Sequence, residues 1–112
     1  MSISLYILGA YYIAEKLSQE INTVRLFFSD NTNQRYNFIA KEIILPETED
    51  VIILKLGIIV NVDVDKTVVR IEYEKLRDDD VYELIMFKDT SINLTPGLNI
   101  IEHEIRISYE PG

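Results

Sequence analysis

The sequence contains no cysteine and no tryptophan, and its 112 residues include a single histidine. Without cysteine the chain can form no disulfide, no thiolate nucleophile and no thiolate-bound metal site. It also has no Gly-rich phosphate loop, no Gly-x-Ser-x-Gly motif and no pair of histidines. Because no set of residues has the pattern that catalysis needs, we expect a protein that is not an enzyme, with no cofactor, metal ion or small-molecule substrate.

Basic residues are scarce relative to acidic ones, 11 against 19, which gives a formal net charge of −8. The excess is uneven, since residues 1–41 carry four basic and three acidic side chains, whereas residues 42–112 carry seven and sixteen. Phosphate contacts require a basic surface, so we expect no nucleic-acid partner. An acidic regulator or inhibitor that binds a basic protein surface remains our alternative hypothesis.

The residues that are abundant are β-branched. The 18 isoleucines, together with the valines, suit pleated and half-buried surfaces and predict a mainly β protein. The length predicts one domain over residues 1–112, and no repeat or Gly/Ser/Pro linker divides it. A bias toward Ile, Asn and Tyr without Trp or Cys is compatible with an AT-rich genome or with a thermophilic source.

From Val24 onward apolar residues alternate with polar ones, and we expect residues 23–112 to form the β part of the protein. In "DVIILKLGIIVNVDVD" every even position from Ile52 to Val64 is apolar, a period of two that indicates a strand, and Gly57 is the expected place for a bulge or bend. Similar alternation predicts strands near 24–29, 35–45, 67–75, 81–88 and 98–109. The Pro96-Gly97 pair before the last strand is typical of a type II turn. We expect an antiparallel two-sheet sandwich of immunoglobulin-like architecture.

The runs "LKLGIIVNVDVDKTVVRIEYEKL" and "LTPGLNIIEHEIRISY" resemble the sandwich domains of the late-embryogenesis-abundant type, in which a Pro-Gly turn opens the last strand. The resemblance covers residues 50–109 and implies the same sandwich fold. Asn61-Val62-Asp63 stands where that family has an Asn-Pro-Asn turn, so the most specific element is missing. No residue receives a role from this resemblance.

The first 22 residues follow a different period and predict an apolar helix from Ser4 to about Glu20, with Ser2 or Ser4 as N-cap. One stripe carries the residues expected to pack on the sheet, Leu5, Leu8, Tyr12 and Ile13. The flanks carry further apolar residues, Tyr6, Ile7 and Tyr11. A sheet covers only one side of a helix, so part of this apolar surface should be buried against a second surface.

The sequence of this helix does not favour insertion into a membrane. The charges at Glu15 and Lys16 end the apolar run before the roughly twenty residues that a crossing needs, and no basic residue precedes it as in a signal peptide. We therefore expect a cytoplasmic or particle-associated protein.

The helix either completes its own core or docks on a protein. Our first hypothesis is a structural or interaction protein that forms a homo-oligomer, filament or particle through Leu5, Tyr6, Ile7, Leu8, Tyr11 and Tyr12.

Two further features have simple structural interpretations. His103 is in phase with Ile101 and Ile105, which predicts a neutral, partly buried histidine rather than a catalytic base. The acidic run 78–80 lacks the spaced oxygen ligands and the glycine of a calcium loop, which predicts a solvated turn.

Overall fold

The computed structural model describes residues 5–47 and 50–109, with side chains from residue 7 onward. Helix α1 is followed by seven strands, which form a four-stranded sheet of order β2-β1-β5-β6 and a three-stranded sheet of order β3-β4-β7. All strand pairs are antiparallel, so the expected mainly β sandwich with one N-terminal helix is confirmed. The elements are α1 Leu5–Glu20, β1 Thr23–Phe28, β2 Asn33–Asn37, β3 Ala40–Ile44, β4 Val51–Val62, β5 Lys66–Leu76, β6 Tyr82–Leu94 and β7 Gly97–Ser108.

The core lies between the two sheets and is built from alternate residues of each strand. The even positions of β4 from Ile52 to Val62 are buried, as their period predicts, whereas Val64 lies beyond the strand end and is exposed. Those from Leu54 to Val62 face the inner side chains of the four-stranded sheet, among them Val24, Leu26 and Ile71. Burial of this kind of side chain contributes about 1.5–3 kcal/mol each, which makes the interior of the sandwich its main source of stability.

The predicted strand 35–45 is wrong in one respect, because it is two strands in different sheets. Strand β2 pairs with β1, and after Phe38 the chain enters β3, which pairs with β4. Tyr36 and Ile43 both pack against the core, but from opposite sheets. One straight strand cannot direct both side chains into the space between two sheets, so the chain turns a corner around the half-buried Phe38.

The bulge expected at Gly57 is absent, since β4 keeps an unbroken register with β3 and β7 along its length. Irregularities occur instead in the four-stranded sheet, between Phe27 and Phe28 in β1 and at two places in β5. The turn at Pro96-Gly97 agrees with prediction, because Gly97 has a φ of 103°. This conformation favours glycine and allows the chain to pass from β6 in one sheet to β7 in the other.

Helix α1 packs on the inner face of the three-stranded sheet, where it extends the core beyond the end of the four-stranded sheet. Ala10 and Ala14 are buried against Ile52 of β4, and Ile7 and Leu17 are half-buried. The expected packing stripe is therefore wrong: its described members Leu8, Tyr12 and Ile13 are exposed. The small alanine side chains let the helix approach the sheet closely, which turns the larger residues away from it. Ser2 and Ser4, the expected N-caps, lie outside the described residues.

Candidate interaction surface

The outward side of α1 carries four large apolar residues that this chain leaves exposed. Tyr12 is 66% exposed, Leu8 50%, Ile13 48% and Tyr11 45%. At 100° per residue Leu8 and Tyr12 lie opposite the alanine stripe, with Tyr11 and Ile13 on the two flanks. We call these four residues the helix patch.

Three of the six predicted interaction residues, Leu8, Tyr11 and Tyr12, belong to the helix patch. Ile7 is half-buried on its own chain next to Ala10, and the side chains of Leu5 and Tyr6 lie outside the described part. Ile13 was missed because its spacing placed it with the expected core stripe. The signal that identifies the packed face is the series Ile7, Ala10, Ala14, Leu17 and Ile21, whose alternating three- and four-residue steps follow one side of a helix.

The helix is attached to the sandwich at its C-terminal end by Lys41 of β3. The Lys41 Nζ donates hydrogen bonds to the backbone oxygens of Ser18, at 2.7 Å, and of Ile21, at 2.6 Å. The last turn of α1 has no basic residue of its own, so this ammonium supplies the positive charge that the negative end of a helix dipole favours. Partial burial lowers the pKa of Lys41 below its ordinary value. The helix patch is therefore carried by a helix with a fixed orientation.

The helix patch is uncharged, and charged residues follow it along the helix. No Asp, Glu, Lys or Arg precedes Glu15 in the sequence. Next to Tyr12 an open cleft of about 310 Å³ is lined by polar residues of the following turns, Glu15, Lys16, Gln19 and Glu20. An apolar centre with a polar rim is the usual anatomy of a protein interface.

A second apolar surface lies on the outer face of the three-stranded sheet. Ile59 of β4 pairs with Ile100 of β7, and Leu98 lies two residues away on the same face. Ile39 extends over Gly57, with its Cγ1 3.9 Å from the position that a Cβ would occupy there. Leu98 is 74% exposed and Ile100 69%. We call the four apolar side chains Ile39, Ile59, Leu98 and Ile100 the sheet patch.

The outer face of the four-stranded sheet is different in character, because arginines lie against its aromatic rings. The Arg35 guanidinium lies 3.8 Å from the ring centroid of Tyr82, and that of Arg70 lies 3.8 Å from the centroid of Phe87. Arg35 Nε also donates to Glu74 Oε1 at 2.9 Å, and this hydrogen bond raises the pKa of the arginine. Glu74 is only 4% exposed, so its carboxylate depends on Arg35 for neutralisation.

His103 has the environment that its position in the alternating row predicts. It is buried on the inner face of β7, and its ring meets that of Tyr73 edge-on at 6.3 Å between centroids. Burial, together with the nearby positive charge of Lys88, lowers the pKa of His103. Burial also raises the pKa of Tyr73 to about 12. At neutral pH both side chains are therefore uncharged members of the core.

The acidic turns lie at opposite ends of the sandwich. Asp79 accepts a hydrogen bond from Arg77 Nε at 3.1 Å in the β5–β6 turn, which contains the run 78–80. Asp63 and Asp65 lie in the β4–β5 turn, one length of β5 away, which is about 36 Å for its eleven residues. Within residues 5–47 and 50–109 no three His, Asp or Glu side chains form a group that could hold a metal ion.

No helix in the described part of the chain is long and apolar enough to cross a membrane. No family model matches the chain, and no curated protein or solved structure matches it either. The resemblance of residues 50–109 to the late-embryogenesis-abundant type thus gains no support from these comparisons.

Proposed function

We propose that this protein is a non-enzymatic structural protein that associates with further copies of itself through the helix patch. The observation that carries the proposal is the orientation of α1, which directs alanines toward its own sheet and Leu8, Tyr11, Tyr12 and Ile13 toward solvent. Soluble monomers rarely expose contiguous apolar surfaces larger than a few hundred Å². Tyrosine is also among the residues that contribute most to binding at protein interfaces.

The size of the helix patch indicates how much binding energy it offers. Full burial of such a side chain contributes about 1.5–3 kcal/mol, and these four are about half exposed, so covering them contributes roughly 3–6 kcal/mol. Association itself costs an estimated 4–15 kcal/mol in lost translational and rotational freedom. The helix patch alone therefore supports a weak contact, and a stable assembly requires additional area on the partner.

Light scattering on the native protein tests the proposal. We expect the wild-type chain to be larger than a monomer, and a variant with Leu8→Lys and Tyr12→Lys to have the mass of one chain and an unchanged β-sheet circular dichroism spectrum. The control is Glu83→Lys, which changes the net charge by the same two units at an exposed position of β6 in the four-stranded sheet, away from the helix, and should leave the mass unchanged. Assembly should persist at high salt, because apolar contacts are not screened.

A wild-type protein that stays monomeric at the highest concentration reached, or a double variant that assembles like the wild type, would show the proposal to be wrong. Assembly or partner binding that disappears as salt is raised would instead favour the acidic-surface alternative.

A further inference from the structure

The sheet patch has no evident role within its own chain. The strand register places Ile59, Leu98 and Ile100 side by side on the outer face of the three-stranded sheet, and Ile39 joins them over Gly57. Toward one end of this face the next residues are Lys55 and Glu102, which form an ion pair at 3.2 Å. Toward the other end Asn61 pairs with Leu98. The patch is thus an uncharged area bordered by polar residues.

Charge restricts which surfaces two copies can bring together. Each chain has a formal net charge of −8, so the acidic surfaces of two copies repel one another. The helix patch and the sheet patch are the two apolar surfaces described above that contain no charged side chain. The outer face of the four-stranded sheet differs from them, since Arg35 and Arg70 place positive charges against its aromatic rings.

The two patches lie on opposite faces of the three-stranded sheet and toward its opposite ends. Helix α1 covers the inner face at Ile52, whereas the sheet patch lies on the outer face around Ile59, seven residues or about 23 Å farther along β4. If either patch met its own counterpart on a second copy, the other patch would remain exposed. One type of contact, between the helix patch of one copy and the sheet patch of the next, covers both patches when it repeats from copy to copy.

We propose, building on the self-association through α1, that the sheet patch is the acceptor for the helix patch of a second copy. Each helix then lies between two three-stranded sheets, with its alanine stripe on its own sheet and the helix patch on that of its neighbour. Helix-on-sheet packing is a standard arrangement of layers in protein domains. Because the donor and acceptor surfaces differ, the contact is head to tail and repeats into a ring or an open filament.

Complementation between two variants tests this arrangement. The helix variant carries Leu8→Lys and Tyr12→Lys, and the sheet variant carries Leu98→Lys and Ile100→Lys. We expect each variant alone to be monomeric, with the concentration for half-assembly raised at least about 100-fold. An equimolar mixture should form a particle of two chains, because the intact helix patch of the sheet variant can dock on the intact sheet patch of the helix variant.

The matched control is Glu104→Lys, which changes the net charge by the same two units on the same strand and face, outside the patch, and should assemble like the wild type. Circular dichroism should show all variants folded. If the sheet variant assembles like the wild type while the helix variant does not, the inference is wrong and self-association through α1 stands. If each variant alone is monomeric and the equimolar mixture is monomeric too, the helix patch and the sheet patch do not bind one another. If the helix variant assembles normally, both proposals are wrong.

Discussion

Replacing Lys41 with methionine tests how the helix that carries the helix patch is held in place. Methionine keeps an unbranched apolar side chain but removes the ammonium that donates to the carbonyls of Ser18 and Ile21 at 2.7 and 2.6 Å. The last helical turn then loses its nearby positive charge, since α1 has no basic residue there. The backbone of β3 and the apolar packing of α1 on Ile52 are left as they are.

The expected loss follows from two terms. Hydrogen bonds to charged groups contribute about 1.5–3 kcal/mol, and a cation at a helix C-terminus contributes about 0.3–1 kcal/mol. The same partial burial that lowers the pKa of Lys41 offsets part of this gain. We therefore expect Lys41→Met to lower the free energy of unfolding by about 1–2 kcal/mol, which for a domain of this size lowers Tm by about 4–8 °C.

Thermal unfolding followed by circular dichroism measures this change, and Lys55→Met is its matched control. Lys55 lies on the same sheet and pairs with the exposed Glu102, an arrangement that contributes about 0.5 kcal/mol or less, so its Tm should stay within about 2 °C of the wild type. Hydrogen exchange adds a local readout, because the amides of residues 15–20 should lose protection in Lys41→Met alone. Equal Tm values for the two variants, or unchanged exchange in the helix, would refute the capping role of Lys41.

Three further outcomes are expected. His103 has a lowered pKa, so below its ordinary value of 6.5 the unfolded chain binds more protons than the folded one, and stability decreases as the pH is lowered. Urea unfolding at about pH 7.5 and about pH 5 should show a smaller loss of stability in His103→Gln than in the wild type, and equal losses would contradict this. Millimolar Ca²⁺ should leave Tm unchanged, whereas a rise of many degrees that Asp79→Asn abolishes would reveal a site. Arg35→Met should cost about 2–4 kcal/mol by leaving Glu74 buried without a partner, and adding Glu74→Leu should recover part of it in denaturant titrations; no recovery would refute this account of the pair.

The sequence determined the strands that lie within one sheet and whose side chains alternate cleanly. The even positions of β4 and the alternating residues around His103 in β7 are buried in the structure. Residues at a period of two share one face of a strand, so they are all buried when that face turns toward the core. The turn at Gly97 could also be predicted from the sequence, since a positive φ at the glycine is a local property of a Pro-Gly pair. The presence of α1 followed from apolar residues at three- and four-residue steps.

The tertiary structure decided two features that the local sequence pattern does not determine, the sheet to which a strand belongs and the side of the helix that packs. Residues 35–45 contain no proline or glycine that would mark a strand boundary, yet Phe38 separates two strands, because membership of a sheet depends on neighbours far away in the sequence. In α1 apolar residues surround the N-terminal half, so hydrophobicity alone could not select the packed side. Close approach to Ile52 favours the side with Ala10 and Ala14, and that choice exposes Leu8 and Tyr12 as the helix patch. Packing depends on the shape of the opposing surface as well as on polarity, and the opposing surface exists only once the sheet has formed.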